Sequence, residues 1–324
     1  VLASTYRPLE LLIVDDRSSD ATAAIAAGLA AEDDRVRLIS GEPVPPGWFG
    51  KPWACLQGYR EATGELLLFT DADTTHQPEL LARAVGALQA VGAELLTISP
   101  RQRCETFWER VVMPQIWLLL GIRYHPGRVN AARRERDVIA NGQFILVRRD
   151  SYEAVGTHAA VGAEIAEDLA LAQAFHRGGR KLYFAFAESL METRMYRSLP
   201  DLIEGWSKNV YLGGRRSFPH EPLLRALVPV MLAAALGFWL VPPAVLFLGG
   251  ATAFAPAAGL AAVLSVLFWM LISYGMRIPV LYGLLYPLGA LVALFIVARS
   301  TWRGERRVEW RGRTYRGQGA STAE

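Results

Sequence analysis

GKPWACLQGYREATGELLLFTDADT, residues 50–74, decides the fold. Its first half has the spacing of a helix running from about Pro52 to Ala62, and Gly64 punctuates it. Leu66 to Thr70 is an apolar run of strand length, and Asp71-Ala72-Asp73 ends it in two carboxylates. The same alternation continues on both sides. Upstream, Leu9 to Val14 reads as a buried strand ended by Asp15-Asp16, and Ser19 or Asp20 is placed to cap a helix reaching about Glu32. Val36 to Ile39 is a short strand, and GEPVPPGWFG at 41–50 is a loop. Downstream, Pro78 opens a helix to about Val91, followed by a strand from Glu94 to Ile98. Strands alternating with helices at crossover length predict an α/β domain built on a mostly parallel sheet. Ligands in such sheets bind beyond the carboxyl ends of strands, where both acidic clusters fall.

Later segments are read the same way. Glu105 to Ile122 is helical and turns apolar toward its end, so it suits either a core helix or one at a membrane. NGQFILVRR at 141–149 is a strand, Ala163 to His176 a helix stopped by Gly178-Gly179, and Lys181 to Ala187 a further strand.

Charge divides the chain. Its 324 residues carry 34 Lys and Arg against 31 Asp and Glu, a net +3 that gives no reason to expect a nucleic-acid partner. Residues 1–222 have the mixed composition of a catalytic-sized globular domain, whereas Leu223 to Ala298 contains only Arg225 and Arg277 as ionised groups. Leu223–Leu248, Ala251–Ser273 and Ile278–Ala298 are each long enough to cross a bilayer. Gly249-Gly250 and the segment from Tyr274 to Arg277 separate them, and Pro242-Pro243 is expected to kink the first. Residues 299–324 form a basic tail with seven arginines from Arg299 to Arg316. The two cysteines, Cys55 and Cys104, lack the spacing of a metal knuckle or a redox pair and read as reduced thiols. The five histidines show no metal-ligand spacing and read as surface or loop residues.

Five groups of residues are suited to chemistry. Asp15 and Asp16, adjacent at a strand end, need donors to stay ionised, and base N–H and ribose hydroxyls supply them; a capped turn is the plainer alternative. Asp71 and Asp73, two residues apart at a turn, are hard oxygen donors suited to Mg²⁺ or Mn²⁺, which neutralises a departing diphosphate. Lys51 at a helix start can meet phosphate, or simply be solvated. Glu164, Glu167 and Asp168 share a face if their helix begins at Ala163, and Asp168 is then placed to act as a general base for an acceptor hydroxyl. Arg194, Arg197, Trp206 and Lys208 precede the apolar stretch, where basic groups meet phosphate or lipid headgroups.

In this order the motifs resemble the family 2 glycosyltransferases, and within them the membrane-bound branch that acts on lipids. LLIVDDRSSDAT (11–22), the quoted 50–74 stretch and AEDLALAQAFHRGGRKLYF (166–184) carry the resemblance, together with GWSKN (205–209) and WRGRTYR (310–316), which are similar to bacterial members associated with hopanoid and carotenoid glycosylation. The resemblance implies a glycosyltransferase A-type fold and an inverting, single-displacement transfer from a nucleotide-sugar. It implies nucleoside contacts for Asp15 and Asp16, diphosphate and metal contacts for Asp71 and Asp73, and proton removal by Asp168 with Glu167 in support. Lys51, Arg194, Arg197 and Trp206 complete the implied donor site, although no Gln-x-x-Arg-Trp element occurs here. The family usually begins with a strand ending in a Pro-x-x-Asn-Glu type segment, so the sequence is read as starting after it. The acceptor implied is a membrane lipid or lipid-like molecule, and the enzyme is expected to be a multi-pass membrane protein with its catalytic domain facing the cytoplasm. Two other readings are a non-catalytic membrane protein that keeps the fold and a processive polysaccharide synthase. The basic tail favours the cytoplasm, which requires an even number of crossings, with 223–248 the segment expected to be re-entrant.

Overall fold

The computed structural model describes residues 1–249 and 253–304, together with the backbone of two short strands at 308–310 and 313–315, which pair antiparallel. Expectations for the remaining tail residues, including Arg306, Arg307, Arg311 and Arg316, lie outside the described residues. The chain divides into two compact units.

The first unit contains residues 1–101 and 126–193. Its elements in chain order are β1 (Leu11–Asp15), α1 (Thr22–Glu32), β2 (Val36–Ser40), α2 (Gly50–Glu61), β3 (Leu66–Thr70), β4 (Thr74–His76), α3 (Leu80–Val91), β5 (Leu95–Ser99) and the start of β6 (Arg101–Gln102). Helix α4 (Phe107–Arg123) belongs to the second unit; here the chain resumes with α5 (Pro126–Asn130), β7 (Phe144–Arg148), α6 (Arg149–Ala154), α7 (Glu167–Arg177), β8 (Leu182–Phe186) and β9 (Met191–Thr193). β1 pairs parallel with β2. The central sheet has the order β3-β7-β5-β8, and β4 pairs antiparallel with β9.

The sheet is mixed, which corrects the expectation of a mostly parallel one. β5 and β8 are parallel, but β7 lies between β3 and β5 and runs antiparallel to both. An apolar run such as FILV at 144–147 reports burial on both faces, not strand direction, so the reversal leaves no mark on the pattern. The two faces are distinct. Ile145 and Val147 pack with Leu95, Leu171 and Phe175 on the α7 side, whereas Phe144 and Leu146 pack with Leu80, Val85, Leu88 and Leu96 on the α3 side. β7 also starts at Phe144, three residues later than expected, because Asn141-Gly142-Gln143 forms a turn: Asn141 N–H donates to Thr97 Oγ1 and Gln143 N–H to Asn141 Oδ1.

Other boundaries follow their local chemistry. The N-cap of α1 is Ala21, without a side-chain cap, and not Ser19 or Asp20 as expected; Asp20 Oδ1 accepts from Thr22 N–H just ahead of the helix. Helix α7 starts at Glu167 rather than Ala163, since Ala166 leaves helical backbone geometry. Glu164 therefore precedes the helix, and the expected shared face of Glu164, Glu167 and Asp168 does not form. His158 is another correction: it is buried, its Nδ1 lying 2.6 Å from the Tyr152 hydroxyl, and burial lowers its pKa to about 3.

The second unit contains residues 102–125 and 194–304. Its helices are α4 (Phe107–Arg123), α8 (Leu199–Arg216), α9 (Pro222–Phe238), α10 (Val241–Leu248), α11 (Ala255–Gly275) and α12 (Tyr286–Arg303), with a 3-10 turn at Val280–Leu285 leading into α12. Thr106 and Glu109 form a capping box at α4, and Val111, Val112, Met113 and Ile116 pack with Leu202, Trp206 and Ile296. α4 is thus a core helix of this unit. Gly289 lets α12 approach it closely; a Cβ there would lie 2.3 Å from the Val111 carbonyl oxygen.

Among the described residues, two helices are long and apolar enough to cross a membrane, Ala255–Gly275 and the continuous stretch Val280–Arg303. The expected first span is instead two helices, α9 and α10, bent by 56°. The break falls at Trp239-Leu240, and Pro242-Pro243 occupy the first turn of α10, where missing N–H donors cost nothing. On α11, Leu260, Leu264, Leu267 and Leu271 are all more than half exposed, the surface a lipid solvent covers. The chain is a membrane-associated protein with more than one such helix. Arg299 and Arg303, at the start of the basic tail, both pair with Glu204, at 2.9 and 2.5 Å.

A strand buried on both faces has no permissive side. Ile145→Ala and Leu146→Ala should each destabilise the first unit by about 2–5 kcal/mol, seen as a lowered melting temperature of the detergent-solubilised protein. Tolerance of either substitution would show that one face of β7 is open.

Candidate active site

The end of β3, the starts of α2 and α7 and the turn before β7 meet around one ammonium group. Lys51, the second residue of α2, places Nζ 2.8 Å from Asp71 Oδ1 and 2.9 Å from Glu167 Oε1. Asp71 follows β3, and Glu167 opens α7 and is buried. Beside Glu167, Asp168 is held by two backbone donors: Gly142 N–H to Oδ2 at 2.9 Å and Leu169 N–H to Oδ1 at 2.7 Å. Gly142 packs directly against this site. A Cβ there would lie 2.7 Å from Lys51 Nζ, 3.2 Å from Asp168 Oδ2 and 3.4 Å from Glu167 Oε1.

The antiparallel pairing of β7 produces this geometry. Its register sets Phe144 opposite Thr70, so the turn entering β7 lies beside the carboxyl end of β3. Thr70 Oγ1 donates to the Gln143 carbonyl at 2.9 Å and ties the two together. The turn after β3 is closed by Thr74 Oγ1 donating to the Asp71 carbonyl at 2.7 Å, and the Asp73 carbonyl accepts from Thr193 Oγ1 at 3.3 Å.

The electrostatics follow from three carboxylates sharing one cation. Burial raises the Asp168 pKa, the neighbouring Glu167 charge raises it further, and Lys51 pulls it back, leaving it at about 6. Burial works against the Lys51 charge, but Glu167, Asp71 and Asp168 together hold its pKa well above the ordinary lysine value. Cys55, one helical turn after Lys51, is a free thiol whose pKa burial pushes up to about 12, so it is not a thiolate nucleophile. Cys104 is likewise a reduced thiol.

Asp15 stands at the end of β1, and its carboxylate accepts from Ser18 N–H while its carbonyl accepts from Gly41 N–H. The turn requires Arg17 at a positive φ of 61° and a glycine at 41, where a Cβ would lie 2.6 Å from the Asp15 carbonyl oxygen. Asp16 is partly exposed next to it. The close contacts bring together Lys51, Asp71, Glu167, Asp168 and Gly142, with Asp73 two residues on in the same turn as Asp71. Arg194, Arg197 and Trp206 belong to the second unit. There Arg194 pairs with Glu105 and Glu109, and Trp206 Nε1–H donates to the Met113 sulfur at 3.4 Å.

Sequence reasoning missed Gly142. The signal was an Asn-Gly pair just before an apolar run, which marks a turn rather than the first residues of a strand. Among the described residues, no group of three or more His, Cys, Asp or Glu side chains is placed to hold a metal ion.

Residues 1–156 match the model of the family described as Glycosyl transferase family 2. The 4,4'-diaponeurosporenoate glycosyltransferase of Staphylococcus haemolyticus (strain JCSC1435) is 24% identical over 222 residues, covering 67% of this chain and 57% of that protein. Its counterpart from Staphylococcus aureus (strain MRSA252) is 26% identical over 221 residues, covering 65% and 56%. The chain therefore spans just over half the length of these curated relatives. Among solved structures, glucosyl-3-phosphoglycerate synthase from Mycobacterium tuberculosis superposes with a TM-score of 0.42 at 18% identity, over 64% of this chain and 69% of that one. S. aureus TarS 1-349 in complex with UDP-GlcNAc gives 0.43 at 13% identity, over 99% and 93%. Residues 1–156, which hold Asp15, Asp16, Lys51, Asp71, Asp73 and Gly142, are the part of the chain that matches this family model.

Proposed function

We propose that this protein transfers a sugar from a nucleotide-sugar to a hydroxyl or carboxyl group of a hydrophobic, membrane-embedded acceptor, with inversion, and that the Lys51-centred cluster is its reaction centre. The observation that carries the reading is Asp168, a carboxyl group with a pKa of about 6 held by two backbone donors next to an acidic strand end. A base of that strength is ionised at neutral pH yet strong enough to accept a proton from a hydroxyl as the bond to the sugar forms. The acceptor oxygen attacks the anomeric carbon, Asp168 takes its proton, and the bond to the diphosphate breaks on the opposite face. Asp15 and Asp16 serve the nucleoside, and Arg194, Arg197 and Trp206 remain proposed contributors to donor binding.

The residues at the end of β3 fit a divalent cation in the chemistry of their donors. Asp71 and Asp73 offer hard carboxylate oxygens from one turn, too few to form a cage alone, and phosphate oxygens and water complete such sites for Mg²⁺ or Mn²⁺. When bound, the ion supplies charge neutralisation to the leaving diphosphate. Glu167 fixes Lys51 at 2.9 Å and keeps the base's neighbourhood negative. The lipid-like acceptor is supported by the apolar helices of the same chain and by relatives named for action on 4,4'-diaponeurosporenoate. We place the catalytic unit on the cytoplasmic side, where nucleotide-sugars are made.

Labelled nucleotide-sugar offered with host lipid extract to the solubilised protein should give an organic-phase product, and EDTA should abolish it. Asp168→Asn should keep nucleotide binding but lose about 10²–10⁴-fold in turnover, because an amide cannot take the proton. Label confined to a water-soluble polymer, or an asparagine variant as active as the parent, contradicts the proposal.

The base must be ionised to act, so kcat/KM should fall as pH drops through about 6. Glu167 raises the Asp168 pKa, so Glu167→Gln should move this acidic limb to lower pH. An acidic limb that stays in place or moves upward would show that another group titrates.

A further inference from the structure

We infer that Lys51 is an internal competitor for the divalent cation: it holds Asp71 until a diphosphate arrives to draw the ammonium away. This rests on the proposed role of Asp71 and Asp73, and it concerns what the protein does before its donor binds. Lys51 Nζ sits 2.8 Å from Asp71 Oδ1, the distance of a direct charge-assisted hydrogen bond. Its second anchor, Glu167 Oε1 at 2.9 Å, comes from a different element, so the ammonium is held from two sides. The contact space around it is closed as well, since the Gly142 backbone approaches so nearly that a Cβ would lie 2.7 Å from Nζ. The lysine is therefore built into the cluster, with only 24% of its side chain exposed.

A cation approaching Asp71 alone meets a carboxylate already paired and an adjacent positive charge. Electrostatic repulsion between Nζ and a divalent ion at such range is large in a partly buried site. A nucleoside diphosphate changes the balance, because its oxygens both complete the ion's coordination and offer Lys51 a new anionic partner. Binding of ion and nucleotide is then coupled, each strengthening the other by the same factor. The three carboxylates and one ammonium carry a net formal charge of minus two, and if the lysine moved onto the diphosphate the remaining minus three would favour a divalent ion in its place.

The test is Mn²⁺ binding, followed by the loss of the free-ion electron paramagnetic resonance signal, on the full chain in detergent. Measurements use Mn²⁺ alone and Mn²⁺ with uridine diphosphate or guanosine diphosphate. The parent protein should bind Mn²⁺ weakly alone and much more tightly with the recognised nucleotide. Lys51→Met should bind Mn²⁺ alone at least about tenfold more tightly than the parent, the equivalent of about 1.4 kcal/mol. Lys51→Gln, which keeps a hydrogen-bond donor without charge, should show the same direction and covers the case in which the methionine variant fails to fold. Adding Asp71→Asn to either variant should remove the gain. If the parent takes up Mn²⁺ with nucleotide but the Lys51 variants bind it alone no better, Lys51 does not compete and the inference fails while the metal reading stands. If no protein binds Mn²⁺ under any condition, both fail. A gain that survives Asp71→Asn places the ion elsewhere and also overturns the inference.

Discussion

The candidate site depends on one ammonium group holding three acidic side chains in register. Without Lys51, Asp71, Glu167 and Asp168 would be like charges in partly desolvated surroundings, and their mutual repulsion would oppose bringing β3 and α7 together. With it, the strand end, the helix start and the turn before β7 can be packed closely. The same contact accounts for the state of Asp168: burial and Glu167 push its pKa up, and Lys51 limits the rise to about 6. A lysine at this place thus both assembles the acidic cluster and tunes its strongest base.

Backbone topology makes that arrangement possible. A fully parallel sheet would put helix-leading loops at every strand end. Reversing β7 instead brings a tight turn to the carboxyl end of β3, with its N–H groups pointed at side chains. Glycine lets that turn lie against the lysine and two carboxylates without displacing them, since a Cβ would lie 2.7 Å from Lys51 Nζ. The apolar residues of β7 serve both faces of the sheet, so the packing that stabilises the unit also fixes the position of Gly142.

Much of this was legible in the residues. The strand ended by Asp71, the helix begun near Lys51 and the acidic start of α7 were readable because period, punctuation and charge coincide at those places. Strand direction was not, because residues 144–147 are apolar for burial on two faces and would read the same either way. The start of α7 shifted by four residues because GAEIA at 162–166 has helical composition but departs from helical geometry at Ala166. The contact of Lys51 with carboxylates was missed since a lysine at a helix start is equally suited to phosphate, and only tertiary structure selects its partner. The bend between α9 and α10 fell ahead of the prolines that drew attention to it, because proline is at ease in a first helical turn.

The central claim is that the turn after β3 and the lysine on α2 form the reaction centre. A crystal or cryo-microscopy structure of the full chain with Mn²⁺ and a bound nucleoside diphosphate tests it most directly. The account predicts an anomalous or density peak between the Asp71 and Asp73 carboxylates and the diphosphate, with Lys51 Nζ moved from Asp71 onto phosphate. An ion and nucleotide bound away from these residues, with the Lys51–Asp71 pair intact, would contradict it.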